Sequence, residues 1–177
     1  MTPHFSELET ERLVLRRLKP SDWEMISYLR SDEVVNRYVN RPPAESKEKA
    51  LEFIAKIDDG INNRVSWYWV ITEKNNDKMI GSICLWNLSE DRKAAEVGYD
   101  LSPEFHGKGI MNESLQSVLA FGFNVQNLDL IEAYTHADNE SSRRLLERNG
   151  FTIVEGKKDE YDEMNVVYSL RKVDSPK

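Results

Sequence analysis

The chain has one cysteine, Cys84, in 177 residues. An internal disulfide framework is excluded, and this cysteine usage suits a reducing, cytoplasmic setting. Histidine is nearly as scarce: His4, His106 and His136 stand at no metal-ligand spacing and no second cysteine joins them, so no metal site is expected. No apolar run approaches the ~20 residues of a membrane span, and the opening M-T-P-H-F-S-E-L-E-T-E-R lacks an apolar signal core, so the protein should be soluble and keep no membrane partner. Basic residues are outnumbered, 24 Lys and Arg against 31 Asp and Glu, for a net charge of −7. Broad nucleic-acid binding relies on basic surface and is not expected, whereas a cationic substrate is compatible. The string G-x-x-x-x-G-K-[ST] is missing, which removes a Walker-type phosphate loop. Linkers and internal repeats are missing too, so residues 1–177 should form one domain with a sizeable core.

What is present is concentrated between Glu96 and Phe151. Ala95, Val97, Tyr99 and Leu101 alternate with Glu96, Gly98 and Asp100, the period of a half-buried strand, and Pro103 ends it. Gly107 and Gly109 follow at once, and from Met111 the apolar residues Leu115, Val118 and Leu119 recur at helical spacing. The glycines thus occupy a strand-to-helix turn. The first amides of a helix lack internal partners and lie at the positive end of its dipole, so backbone N–H groups of His106, Gly107, Lys108, Gly109 and Ile110 are candidate donors to a diphosphate. A dinucleotide fingerprint would need a third small residue where this chain has Asn112, so it fits poorly.

A second element follows one strand later. After Leu128, Leu130 and Ile131 lead into Ala133, Tyr134 and Thr135, the chain turns at Ala137 and Asp138 and starts a helix that Asp138 or Asn139 can cap and Gly150 can end. On it Asn139, Ser142, Leu145, Leu146 and Asn149 share one face. Read alone, Asn139 is a cap and Ser142 back-bonds to a carbonyl. Read with the glycine turn, the face addresses a ligand.

Strands are predicted near Leu13–Leu18, Trp67–Thr72, Ile80–Trp86, Ala94–Leu101, Leu130–Thr135, Phe151–Gly156 and Val166–Leu170, and helices near Asp22–Arg30, Lys47–Asp58, Ile110–Phe123 and Asn139–Arg148. That order indicates an α/β or α+β layered sheet. Ala50, Phe53, Ile54 and Ile57 are spaced for an amphipathic helix, and Pro42 and Pro43 break what precedes it. Alternation sends Trp67 and Trp69 to one face of their strand and Tyr68 to the other.

These residues carry a family likeness. T-E-R-L-V-L-R-R-L at Thr10–Leu18, A-E-V-G-Y at Ala95–Tyr99, E-F-H-G-K-G at Glu104–Gly109, N-E-S-S-R-R-L-L-E-R-N-G-F at Asn139–Phe151 and Y-S-L at Tyr168–Leu170 together resemble the GNAT superfamily of N-acyltransferases. The likeness spans nearly the whole chain, and within the superfamily the chain resembles the branch that includes the ribosomal-protein N-terminal-alanine acetyltransferases. It implies a mixed sheet splayed near its centre and flanked by helices, with acetyl-CoA as co-substrate. The pantetheine arm would pair with backbone near Leu101, Asn139 matches a pantetheine-contacting asparagine, and Lys108 and Arg144 would meet the outer phosphates. The region from Val34 to Ile61 would border the acceptor site.

Two positions depart from the pattern. Glu104 stands where Gln or Arg is common, and its carboxylate should turn to solvent. Leu146 stands where many relatives place a tyrosine acid, so acid catalysis from that position is excluded.

Acyl transfer to an amine requires removal of a proton from the nucleophile. Glu96 is the candidate base, on the strand face opposite Val97 and Tyr99. Ser142 is the candidate donor to the departing thiolate, a role the resemblance supplies, and an amide near Gly98 or Tyr99 would polarise the thioester carbonyl. Direct attack in a ternary complex is expected, on a primary amine that includes a protein N-terminus among the options. Cys84 is expected to be a buried structural thiol. A non-catalytic CoA-binding sensor or scaffold is the alternative, and a nucleotide-binding domain a weaker third. A monomer and a homodimer are both compatible with the sequence.

Overall fold

The computed structural model describes residues 5–175; His4 lies outside them. Strands β1 (Leu8–Glu9) and β2 (Leu13–Arg16) precede helices α1 (Trp23–Ser31) and α2 (Lys47–Asn62), which are followed by β3 (Trp67–Glu73), β4 (Gly81–Trp86) and β5 (Ala94–Leu101). Then come α3 (Ile110–Ala120), β6 (Leu130–His136), α4 (Glu140–Arg148), β7 (Thr152–Ile153) and β8 (Asn165–Arg171). The eight strands form one sheet in the order β1-β2-β3-β4-β5-β6-β8-β7. Every neighbouring pair is antiparallel except β5 and β6.

Strand alternation divides the core in two. Trp69, Ile71, Ile83, Leu85, Val97, Leu115, Val118 and Ile131 pack together on the α3 and α4 side. Tyr68, Val70, Leu18, Ile26, Leu29, Ala50 and Ile54 pack on the α1 and α2 side. Trp67 and Trp69 both meet the Phe121 ring edge-on, at 5.9 and 5.1 Å between centroids, so the two tryptophans are core residues and Tyr68 faces the other way, as alternation requires.

The parallel pair is short, and this positions the site. β5 and β6 pair only from Ala94 opposite Leu130 to Glu96 opposite Glu132. Beyond that point β5 continues beside β4 to Leu101 while β6 continues beside β8 to His136, so the sheet opens into a wedge.

The structure corrects the sequence reading in three places. The predicted strand at 151–156 is reduced to Thr152–Ile153, because Gly156 adopts φ +77° and the chain turns there. The third helix ends at Ala120 and runs into a π-helical turn, Phe121–Val125. Gly122 lies in that turn because a Cβ there would come within 2.9 Å of Ile131 Cδ1. The edge strand β1 was not anticipated; with two residues it carries too little pattern to read. Among the described residues no helix is long and apolar enough to cross a membrane.

Candidate active site

The wedge between β5 and β6 opens into a cleft of about 1640 Å³ that reaches both faces of the sheet. Its backbone edge can be assigned from register. The Ser102 amide donates to the Ile80 carbonyl at 2.9 Å, which makes the opposed residues Ile80 and Ser102 a hydrogen-bonded pair. By antiparallel alternation Asp100, Gly98 and Glu96 also direct their amides and carbonyls to β4, leaving those of Leu101, Tyr99 and Val97 aimed into the wedge. His106 Nε2 lies 2.8 Å from the Leu101 carbonyl oxygen, in keeping with that direction. Of the two amides considered for the thioester carbonyl, Tyr99 therefore faces the cleft and Gly98 does not.

At the wide end the chain turns through Pro103–Phe105 into α3. Gly107 and Gly109 both adopt φ +75°, a region that an L-residue enters only at a cost, and no side chain caps the helix that begins at Ile110. The first amides of α3 are thus left without a side-chain partner. Arg12 braces the turn from β2: its Nη1 donates to the Lys108 carbonyl at 2.9 Å and its Nε pairs with Glu113 at 2.7 Å. Thr10 Oγ1 and the Arg12 amide donate to the same carboxylate at 2.5 and 2.8 Å. Glu104 is exposed, as expected.

On α4, Asn139 caps the helix by accepting from the Ser142 amide at 3.2 Å. The Ser142 hydroxyl is 2.7 Å from the Tyr99 hydroxyl, which bridges α4 to β5. Burial pushes the Tyr99 phenol up to about 12. Asn149 is buried and satisfied, donating to Asn112 Oδ1 and to the Leu145 carbonyl, each at 2.8 Å, so α4 is fastened to α3.

Glu96 occupies the opposite face of β5. It is half-buried, and desolvation pushes its carboxyl up to about 7; the Asn87 amide at 3.4 Å opposes this weakly, while Asp159 and Glu132 add to it. Further along that face Asp100 accepts from Ser82 Oγ at 2.5 Å and pairs with Arg41 at 3.0 Å. Arg41 also donates to the Leu29 carbonyl and to Asn36 Oδ1, so this one carboxylate anchors the α1–α2 connection over the cleft.

The cleft gathers Glu96, Leu101, His106, Gly107, Gly109, Ile110, Asn139, Ser142 and Arg144 from the sequence prediction. Lys108 stands apart: its ammonium lies 5.2 Å from the centroid of the Phe105 ring. Arg144 pairs with Glu140 at 3.0 Å across an exposed helix surface. Cys84 also lines the cleft and is half-buried rather than buried, because the residue opposite it on β5 is Gly98. Burial of its sulfur raises the thiol to about 12 and keeps it protonated. The Tyr99 hydroxyl and the side chains of Asp100, Arg41 and Arg12 escaped the sequence reading. Alternation places Tyr99 on a face, but no local spacing pairs it with a serine on a helix beyond the next strand.

A family model described as an acetyltransferase (GNAT) domain matches residues 12–152. The chain belongs to the GNAT acetyltransferase family. The uncharacterized N-acetyltransferase YoaA of Bacillus subtilis is 33% identical to it over 147 residues, covering 83% of each chain. The spermidine N(1)-acetyltransferase of Vibrio cholerae is 26% identical over 141 residues, 79% of each chain. Among solved structures, the ribosomal-protein-S5-alanine acetyltransferase of Vibrio fischeri superposes with a TM-score of 0.82 at 26% identity, over 97% of this chain and 100% of that one. GNAT acetyltransferases use acetyl-CoA as co-substrate. The residues here suit it, since the edge of β5 beyond its last pair with β6, open at Tyr99, leads to uncapped helix amides beside two left-handed glycines.

Proposed function

We propose that this GNAT enzyme transfers the acetyl group of acetyl-CoA to the α-amine of a polypeptide N-terminus by direct attack in a ternary complex. The observation that carries the reading is the division of labour across β5. The Tyr99 amide and the Tyr99–Ser142 hydroxyl pair address the wedge, and Glu96 addresses the other face, so thioester and amine would meet through the gap between two strands.

Glu96 removes the amine proton. An α-amine titrates near ~7.7–8.0, within about tenfold of the proton affinity of a carboxyl at about 7, whereas a lysine side chain near ~10.4 is more than a thousandfold off. That match favours a terminal amine. The Tyr99 amide donates to the oxygen that gains charge as the tetrahedral centre forms. Within the Tyr99–Ser142 pair one hydroxyl donates to the other, and the proton left free is directed toward the departing sulfur. A phenol near 12 and an alcohol are weaker acids than a thiol near ~8.5, so the pair steadies the thiolate rather than protonating it outright.

A polypeptide acceptor is further supported by the rim of the cleft. Val34, Val39, Val65, Trp86 and Tyr161 are all between 46% and 91% exposed and all line its mouth. Scattered apolar residues are ordinary on a surface, but their collection around one opening suits contact with a chain.

The test is an acceptor screen by mass spectrometry with acetyl-CoA, run on wild type, Glu96→Gln and Ser142→Ala. Acetylation of peptide N-termini that slows in both variants while CoA affinity is kept is the expected result. CoA binding without transfer to any amine would favour a cofactor-binding scaffold instead.

A further inference from the structure

The cleft wall contributed by α1 and α2 holds cationic charge with too few anions to match it. Arg30, the penultimate residue of α1, is half-buried with its guanidinium 4.1 Å from the centroid of the Phe53 ring on α2. Phe53 is itself set edge-on against Tyr68, at 6.1 Å between centroids. The Arg30 Nη2 donates to the Pro42 carbonyl at 3.2 Å, and no carboxylate pairs with Arg30 among the described residues. Burial, and after it the neighbouring Arg41, disfavour the Arg30 charge, and the nearby Asp100 is already engaged by Arg41 and Ser82. Arg37, also without a carboxylate, lines the same cleft.

The other end of the cleft has the reverse sign. Glu96, Asp159 and Asp162 line it, and the nearby cation, Lys157, is already paired with Glu132 at 2.5 Å. An occupant that presents a cation at Glu96 and an anion at Arg30 would match both ends.

We infer that the acceptor polypeptide carries an acidic side chain within its first few residues and that Arg30 binds it. The inference rests on the peptide reading above and specifies it. Glu96 and Asp100 are four residues apart on one face of β5, so at ~3.3 Å per residue the basic wall begins ~13 Å from the base. An extended peptide covers that distance in three or four residues, and a glutamate side chain shortens the requirement. Positions two to four of the acceptor are therefore the ones read.

The test uses a peptide series with one N-terminal residue and Glu, Gln or Lys placed in turn at positions two, three and four, with steady-state kinetics for each. The Glu peptide should exceed its Gln partner by about tenfold in kcat/KM at one or more positions, mainly through KM, as a hydrogen-bonded charge pair would give. Arg30→Met should bring that ratio to about one, and Arg30→Glu should turn the preference toward Lys. Calorimetric acetyl-CoA affinity equal to wild type would show that the variants are folded, Arg30→Lys should keep the Glu preference, and the wild-type series by itself tests that preference. Equal kcat/KM across Glu, Gln and Lys overturns the inference and leaves the peptide reading standing. Acetylation of small amines but of no peptide overturns both.

Discussion

The hydroxyls of Tyr99 and Ser142 share a hydrogen bond 2.7 Å long that joins β5 to α4 beside the open strand edge. This pairing places two hydroxyls beside the wedge, whereas Leu146 on α4 offers no donor. The donor comes instead from the strand, through a phenol that burial keeps protonated. Removing either oxygen leaves the other without its partner, so the two should act as a unit. Tyr99→Phe and Ser142→Ala are each expected to lower kcat by about tenfold to a hundredfold with acetyl-CoA affinity nearly unchanged. The double variant should be little worse than either single one, as expected of coupled neighbours. Full additivity in that cycle would separate the two residues mechanistically.

Glu96 makes a prediction about pH in two directions. In the proposed role of base it must be ionised, so wild-type kcat/KM should rise through about pH 7. Glu96→Gln should lose that limb and about a hundredfold in rate. Stability runs the other way. The carboxyl is raised from 4.5 to about 7 on folding, so the folded chain holds this proton more tightly, and stability from the group is present at low pH and lost as pH rises from 4.5 to about 7. Thermal melts should therefore show the Gln variant near wild type at pH 4 and more stable at pH 8. A variant less stable at pH 8 would contradict the desolvation of Glu96.

The parts of the site that the sequence reveals are those set by short-range periodicity. Alternation from Ala95 to Leu101 and the two glycines before Ile110 specify a strand, a turn and a helix, and the structure has all three in that order. Asn139 and Ser142 were legible because a helix fixes which residues share a face. What the sequence withholds is register and loop packing. Whether the Gly98 or the Tyr99 amide faces the cleft depends on how β4 aligns with β5, and no local pattern encodes that pairing. Arg41 meets Asp100 across 59 residues, through a connection with neither helical nor strand period, so its ion pair has no signature along the chain.

The glycine turn before α3 should be sensitive to a single methyl group. Gly109 has φ +75°, and a Cβ there would lie 3.4 Å from Arg12 Nη2, the guanidinium that braces the turn. Gly109→Ala combines backbone strain of about 1–2 kcal/mol with pressure on that brace. Gly107 has the same φ but open space around its Cβ position, so Gly107→Ala carries the strain alone. Calorimetry should show weaker acetyl-CoA binding for both, with the larger loss at Gly109. Arg12→Ala should weaken binding as well, since it frees the Lys108 carbonyl and removes one partner of Glu113.

The ion pair between Arg41 and Asp100 should control the acceptor side without touching the cofactor side. Both groups are largely shielded, with 21% and 11% of their side chains exposed, and Ser82 holds the second carboxylate oxygen. Arg41→Ala removes three tethers at once, to Asp100, to the Leu29 carbonyl and to Asn36, and leaves Asp100 with only the serine. Loss of charged hydrogen bonds of this kind costs about 2–3 kcal/mol, which chemical denaturation would register. The connection between α1 and α2 would then be free to move away from the cleft, so KM for the acceptor should rise by about tenfold. The glycine turn and α4 pack on the other side of the sheet, so acetyl-CoA affinity should stay within about twofold of wild type, small beside the tenfold that 1.4 kcal/mol represents. Asp100→Asn keeps the shape and discards the charge, and should fall between wild type and Arg41→Ala on both readouts. A parallel loss of acetyl-CoA affinity in either variant would mean that the pair supports the sheet as a whole, and the separation of the two faces by β5 would have to be abandoned.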